Sequence, residues 1–449
     1  MGRPVSTRPW ATGVPVTWCS VTGCVLRGAA TVAGAVVLAG AAVGPVSAVA
    51  GPVPTPATSV PSAAGVPAPV SSPVGPPCPR QPAPAVSRPP RPSPPPVGPG
   101  ERAVGGPALA TPGLVVPPGS PPPPALTATS WLVADLDTGA VLGGCGPHEP
   151  GTPASVQKLL LAATLLPTLD PRQVVTVTRA DLDIEPGSSA VGLVEGGRYP
   201  VELLWLGLLL QSGNDAANVL ARLGGGAQGA AGGVQAMNER ARQLGAYQTH
   251  AVTPSGLDGP GQFTSAYDLA LIARVCFADP TFRRYALTGA AQVPAQGRLA
   301  RGFQIQNENP LVGRYPGALG GKTGFTDLAR HTYVGAAERD GRRLVVTLLG
   351  AEPRPRRGWE QGAALLDWGF SLPRDATVGR LVDPGEPVPG TPPTGVPAAA
   401  PAVVAAPAPA SRTGTRWWGM AGAGVVVLGA ALAVVLLRRR RGGRTTRRP

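Results

Sequence analysis

Two lysines stand out in this sequence of 449 residues, because the other strongly basic side chains are 37 arginines. An ammonium is compact and can lose its proton when buried, whereas a guanidinium stays charged. Lys158 follows Ser155 by three residues and opens the apolar run Leu159–Leu166, which predicts a helix buried on all sides. Residues three apart share a helical face, so Lys158 can take the proton of a nucleophilic Ser155. Drift in an arginine-rich composition is the alternative.

Two further polar motifs follow. Ser212-Gly213-Asn214 interrupts two apolar helices predicted at Val201–Leu210 and Asp215–Leu223, and alone it is more often a simple turn. Lys322 lies in the run 320–324, Gly-Gly-Lys-Thr-Gly, which leads into a predicted edge strand where glycines permit a ligand backbone to approach. A phosphate-binding loop is the alternative, but it is not expected, because the G-x-x-x-x-G-K spacing and the following helix are both missing.

The three motifs together are far more specific than any one of them. They occur in the order S-x-x-K, S-x-N, K-T-G, with 54 residues from Lys158 to Ser212 and 108 from Asn214 to Lys322. In this the chain resembles the superfamily of penicillin-binding proteins and serine β-lactamases, and most closely the low-molecular-mass D-alanyl-D-alanine carboxypeptidases. The similarity spans about residues 129–372 and includes the runs 154–158, 210–217, 256–258 and 322–327.

The resemblance implies a serine-type DD-carboxypeptidase that removes the terminal D-alanine from peptidoglycan stem pentapeptides and is acylated by penicillins. Ser155 would be the nucleophile and Lys158 its base, and the N–H groups of Ser155 and Phe325 would form the oxyanion hole. The predicted catalytic residues are Ser155, Lys158, Ser212 and Asn214, and the predicted substrate-binding residues are Lys322, Thr323, Gly324 and Phe325. Thr323 would bind the substrate carboxylate, helped by one of Arg354, Arg356 and Arg357. Neither a cofactor nor a metal ion is expected.

The sequence departs from the family pattern in ways that leave alternatives open. It lacks the Glu-x-x-Leu-Asn deacylation motif, so rapid penicillin hydrolysis is not expected, and it lacks the usual second, β-rich domain. A DD-endopeptidase or transpeptidase acting on crosslinks would use the same acyl-serine. A wall-binding module without catalysis is the alternative from another class, although such a module has little use for Lys158.

The order of predicted elements gives an α+β fold. A hairpin at Ser130–Asp135 and Ala140–Leu142 opens the domain, several helices follow, and strands at 318–325, 330–338 and 343–350 close it before a last helix at Trp359–Phe370. We therefore expect an antiparallel five-stranded sheet flanked by a helical subdomain, over residues 127–376.

The flanking segments predict export and membrane anchoring. We expect a signal peptide at 1–50, a disordered Pro-rich segment at 51–126, a Pro/Ala-rich linker at 377–415, a transmembrane helix at 416–437 and an Arg-rich cytoplasmic tail at 438–449. The catalytic domain would then face the cell wall. An uncleaved first membrane helix and a buried C-terminal core helix are the alternatives for the two apolar runs.

Charge and cysteines exclude other classes. Of the net charge of +14, residues 1–50, 51–102 and 411–449 carry +3, +3 and +9, which leaves −1 for residues 103–410. The domain thus has no basic face, and nucleic acid is not an expected partner. Cys78, Cys145 and Cys276 remain after signal cleavage, an odd number without CxxC spacing that predicts neither a disulfide framework nor a metal cluster. A Cys145–Cys276 bridge stays open.

Overall fold

An antiparallel sheet with helices on both faces forms the centre of the domain. The computed structural model describes residues 75–82, 87–96 and 98–387. Strands β1 to β11 are Leu114–Val115, Ser130–Asp135, Ala140–Cys145, Val174–Thr176, Arg198–Pro200, Ala290–Val293, Phe303–Gln306, Ala318–Thr326, Arg330–Arg339, Arg342–Ala351 and Gly379–Arg380. Helices α1 to α8 are Pro99–Arg102, Lys158–Leu165, Val201–Leu210, Asn214–Gly224, Gly229–Gln243, Ala266–Ala278, Pro280–Leu287 and Gly358–Ser371.

The main sheet has the strand order β1-β3-β2-β10-β9-β8, and β11 also pairs with β3. Five of its strands, from β3 to the edge strand β8, are those predicted, so the α+β class and the assembly of the sheet from both ends of the domain are confirmed. The hairpin between β9 and β10 turns at Asp340 and Gly341, whose φ angles of 51° and 69° are those of the tight turn expected there. β1 and β11 are additions, which make the sheet seven-stranded.

Each face of the sheet carries its own apolar core. Helix α8 packs on β2, β9 and β10, and the aromatic rings of Trp131 and Trp368 meet edge to face at 5.9 Å. Helix α6 covers the opposite face and packs on α2. Seven of the eight residues of α2 are buried, as the apolar run predicts. The segment that carries Ser155 is therefore held between the sheet and the helical layer.

The folded domain extends beyond the predicted limits of 127 and 376. Residues 98–126 contain α1, a 3₁₀ turn at Pro107–Leu109 and β1, and β11 pairs with β3 after residue 376. Leu109 and Leu126 are completely buried, so the prediction of a disordered segment is wrong for residues 98–126. Proline-rich composition is typical of linkers, but here the chain exchanges backbone hydrogen bonds with the domain: Gln81 N–H donates to Leu126 O at 2.9 Å.

The cysteine pairing differs from the Cys145–Cys276 bridge that the sequence left open. Cys78 and Cys145 form a disulfide across 67 residues of sequence, and Cys276 is a free thiol buried in α6. The pairing depends on the Pro-rich segment lying next to the end of β3, which the spacing of the cysteines in the sequence does not reveal. The predicted signal peptide, transmembrane helix, cytoplasmic tail and most of the linker lie outside the described residues. Among those described, no helix has the length and apolarity to cross a membrane.

Candidate active site

Ser155 lies at the mouth of the helical layer, in a 3₁₀ turn, Ala154–Gln157, that leads directly into α2. Ala154 has a φ of 49°, a conformation that costs free energy in a non-glycine residue and persists where neighbours enforce it. Thr332 of β9 enforces it from one side, because its hydroxyl donates to Pro153 O at 2.8 Å. The turn thus presents a half-buried Ser155 at a fixed place beside the sheet.

Lys158 is completely buried, and its amine meets three oxygens. Its Nζ lies 2.9 Å from Ser155 Oγ, 2.7 Å from Asn214 Oδ1 and 2.8 Å from the carbonyl oxygen of Ser255. Burial lowers the pKa of Lys158 well below its usual range, and the positive charge of Lys322 lowers it further. The sequence prediction that Ser155 and Lys158 come within hydrogen-bond reach is confirmed.

This arrangement suits a neutral amine. A neutral Lys158 has two N–H bonds, which Asn214 Oδ1 and the Ser255 carbonyl can accept. Its lone pair then faces the Ser155 hydroxyl, at a separation suited to proton transfer. The geometry therefore allows Lys158 to take the Ser155 proton and leave an oxygen nucleophile.

The Ser-Gly-Asn motif forms the wall opposite Ser155, between α3 and α4. Ser212 is buried with a φ of 58°, a second strained non-glycine position beside the cleft. Asn214 begins α4, and Asp215 accepts backbone hydrogen bonds of 2.9–3.0 Å from residues 191, 192 and 193. This buried carboxylate fastens the preceding loop to the helix start, which fixes the direction in which Asn214 points.

Strand β8 forms the third side. Its Gly324 passes so close to Ser155 that a Cβ there would lie 2.9 Å from Ser155 N, so a larger residue would have to displace its neighbours. Lys322 is buried and donates to Thr323 O at 2.7 Å. Burial lowers the pKa of Lys322 to about 7, although the Glu308 carboxylate opposes the shift. A group with this pKa exchanges protons readily at neutral pH.

A cleft of about 1000 Å³ opens between these three sides. Of the eight predicted site residues, the six that line the cleft are Ser155, Ser212, Asn214, Thr323, Gly324 and Phe325. Lys158 and Lys322 lie buried beneath its surface. Of the three arginines left open by the sequence, Arg357 lines the cleft. The structure therefore brings all the predicted residues to one place.

The sequence analysis did not identify every group that contributes to the site. The Ser255 carbonyl acts through the backbone, which no side-chain pattern reveals, and Glu308 is a single acidic residue in a loop. The loop with Ser255 is held by Gln262, whose amide oxygen accepts from the side chain of Gln157 at 3.0 Å. The sequence run 256–258 marked this loop without showing its role. In the part of the chain that the structure describes, no group of three or more His, Cys, Asp or Glu side chains could hold a metal ion.

Comparison with known proteins agrees with this geometry. The sequence profile of the D-alanyl-D-alanine carboxypeptidase family matches residues 118–353. The chain belongs to this family. Among relatives of the D-alanyl-D-alanine carboxypeptidase family, DacB2 of Mycobacterium tuberculosis is 46% identical over 273 residues, which are 60% of this chain and 90% of the relative. DacD of Escherichia coli is 35% identical over 263 residues, 56% of this chain and 65% of DacD.

Solved structures of carboxypeptidase-family proteins show the same fold. A crystal structure of a D-alanyl-D-alanine carboxypeptidase from Mycobacterium tuberculosis aligns with a TM-score of 0.56 and 44% identity, covering 60% of this chain and all of that one. The Streptomyces K15 DD-transpeptidase aligns with a TM-score of 0.53 and 27% identity, covering 56% of this chain and 99% of that one. The transpeptidase-like α+β fold is thereby established.

Proposed function

We propose that the protein is a serine-type DD-carboxypeptidase that removes the terminal D-alanine from peptidoglycan stem pentapeptides through an acyl-serine intermediate. The observation that carries the proposal is the fully buried Lys158 amine, 2.9 Å from the hydroxyl of Ser155 at the edge of an open cleft. Family membership and the names of the relatives support the same reaction.

Acylation begins when Ser155 Oγ attacks the carbonyl carbon between the two D-alanines, while its proton moves to Lys158 Nζ. The backbone N–H groups of Ser155 and Phe325 donate to the oxyanion that forms. The C–N bond then breaks, and the departing D-alanine amine receives a proton relayed from Lys158 through Ser212. Asn214 holds the Lys158 amine in line during both transfers, at 2.7 Å.

The substrate carboxylate is bound on the β8 side of the cleft. The Thr323 hydroxyl donates to it, and Lys322 and Arg357 supply positive charge nearby. Support comes from the placement of Thr323 and Arg357 on the cleft wall and from the burial of Lys322 beside Thr323. A free C-terminal carboxylate is the feature that separates a stem peptide end from an internal peptide bond, so this side sets the carboxypeptidase preference.

Deacylation returns the enzyme to its resting state. Water attacks the ester carbon, gives its proton to Lys158, and the Ser155 oxygen leaves with a proton from the same amine. A β-lactam acylates Ser155 by the same first step, but its leaving group stays tethered to the acyl-enzyme. Because the Glu-x-x-Leu-Asn motif is missing, the penicilloyl ester is expected to be released slowly.

A purified-enzyme assay tests the proposal. Incubation with a pentapeptide ending in D-alanyl-D-alanine should release one D-alanine per peptide, and Ser155→Ala should release none. Absence of D-alanine release by the wild type, with the protein shown to be folded, would refute the assignment.

Transpeptidation is the second candidate, favoured by the structural similarity to the Streptomyces K15 DD-transpeptidase. The same acyl-enzyme would then be attacked by an amine. Supplying pentapeptide together with an amino acceptor and scoring tetrapeptide against crosslinked product by mass spectrometry separates the two reactions.

We further propose that the catalytic domain lies outside the cytoplasmic membrane, anchored by residues 416–437. The Cys78–Cys145 disulfide supports this, because such bonds persist in oxidising compartments. Protease added to intact spheroplasts should degrade the domain and spare a C-terminal fragment. Protection of the whole chain would contradict this placement.

A further inference from the structure

The Pro-rich segment before the domain contacts the catalytic domain at several points. We call its described residues, 75–82 and 87–96, the strap. Cys78 binds it covalently to Cys145, and the Arg80 guanidinium donates to the carbonyl of Thr129 at 3.0 Å. Further along, Arg91 pairs with Glu149 at 2.7 Å. The strap therefore lies along the end of the sheet where β2 begins and β10 ends.

Arg88 connects the strap to two segments of the catalytic domain. Its guanidinium donates to Thr127 O and to Gly350 O, both at 3.0 Å, so it joins the segment before β2 to the end of β10. The same guanidinium lies 3.9 Å from the carboxylate of Glu352. Arg88 thus supplies a second cation to a glutamate whose side chain is only 1% exposed.

Glu352 also pairs with Arg330, so it links Arg88 to Arg330. Its two carboxylate oxygens accept from Arg330 Nε at 3.2 Å and Nη2 at 3.0 Å. A buried carboxylate is costly unless it is paired, so the position of Glu352 depends on both arginines. Arg330 has a φ of 56°, which again needs enforcement by its neighbours. The bidentate pair provides that enforcement.

Arg330 adjoins the catalytic strand. Its guanidinium lies 5.5 Å from the centre of the Phe325 ring, and the ring of His331 contacts the same Phe325 at 4.7 Å. In the β8–β9 ladder Phe325 pairs with His331 and the next residue, Thr326, pairs with Arg330, so Arg330 is linked directly to the backbone of β8. The Phe325 N–H is the proposed oxyanion donor, and such a donor works only when correctly placed.

We propose that Arg88 is a positioning residue of the active site: from the strap it holds Glu352 and through it Arg330, which sets Phe325 on β8. The inference rests on the proposed function, because it concerns a donor to the reaction's oxyanion. It gives the Pro-rich segment a part in catalysis, beyond connecting the domain to its N-terminal flank.

The test compares acylation by a fluorescent penicillin in the full-length wild type, Arg88→Met, Arg88→Lys and Arg91→Met. Arg91→Met is the matched control, since it removes an ion pair of the same strap that does not involve Glu352. Two quantities are measured: the fraction of chains labelled at saturation and the second-order acylation rate constant. Impaired folding lowers the fraction, whereas misplacement of Phe325 lowers the rate constant of chains that still label.

We expect full labelling in all four proteins, with the rate constant of Arg88→Met reduced about five- to tenfold, a small part of the loss that complete removal of an oxyanion donor causes. Arg88→Lys should recover part of the rate, and Arg91→Met should stay within about twofold of wild type, as expected for an exposed ion pair. Adding Arg88→Met to Glu352→Gln should lower the rate little further, because both act through one contact.

The proposal is overturned if Arg88→Met acylates at the wild-type rate, if Arg91→Met slows acylation equally, or if only the labelled fraction falls. Failure of the wild type to label at Ser155 is a different result, which removes the proposed function itself.

Discussion

Replacing Asn214 by aspartate puts a carboxylate 2.7 Å from the Lys158 amine, where an amide oxygen stands in the wild type. An opposite charge this close raises a lysine pKa by about 1–3 units. Below the pKa, each unit of this rise lowers the neutral fraction of the amine about tenfold, and a protonated Lys158 cannot accept the Ser155 proton. On the acid limb of the pH profile, where Lys158 is protonated in both proteins, the acylation rate constant of Asn214→Asp should therefore be about 10- to 1000-fold lower than that of the wild type.

The assay is the pH profile of penicillin acylation from pH 5 to 10. In Asn214→Asp the acid limb should move to higher pH by the same 1–3 units, so the rate recovers about tenfold per pH unit as the solution becomes alkaline. Asn214→Ala is the control, since it removes the acceptor without adding charge and should be slower without this alkaline shift. If Asn214→Asp and the wild type share one acid limb, Lys158 is not the base.

Three further predictions concern the framework of the domain. Gly324→Ala should slow acylation at least about tenfold and destabilise the fold by about 1–3 kcal/mol, because the new Cβ lies 2.9 Å from Ser155 N. Stopped-flow acylation measures the rate and urea unfolding measures the stability. An unchanged acylation rate would contradict the close approach of β8 to Ser155. Cys78→Ser opens a disulfide loop of 67 residues and should lower the free energy of unfolding in urea by about 4 kcal/mol. Equal urea midpoints for the variant and the wild type would count against the Cys78–Cys145 disulfide. Burial raises the pKa of the Asp268 carboxyl to about 7 in the folded protein. Its contribution to the free energy of unfolding is therefore complete below about pH 4 and is lost as the pH rises through about 7. Asp268→Asn should flatten this pH dependence of stability, and parallel curves of stability against pH for the two proteins would exclude Asp268 as its source.

The sequence was sufficient where local pattern decides structure. Helix Val201–Leu210 has the predicted bounds, because its apolar run ends at a polar motif that interrupts the helix. Strands β8 to β10 lie within one residue of prediction, since alternation and the turn at Asp340 and Gly341 define them. The site could be located because three motifs in fixed order constrain each other more than any one does alone.

What could not be predicted depends on contacts between distant residues. Strands β1 and β11 are two residues long and carry no periodic pattern. The Ser255 carbonyl is placed by the packing of its loop, through a backbone atom that every residue type has. The choice of Arg357 over Arg354 and Arg356 needed the path of the chain after β10. The fixed position of the strap likewise depends on one disulfide and a few arginine contacts with distant parts of the chain.

Mass spectrometry of the penicillin-treated protein tests the central claim most directly. We expect one penicilloyl group per chain, on the peptide that contains Ser155, and no adduct in Ser155→Ala. An unlabelled wild type, or labelling that survives in Ser155→Ala, would contradict the assignment of Ser155 as the nucleophile that Lys158 activates.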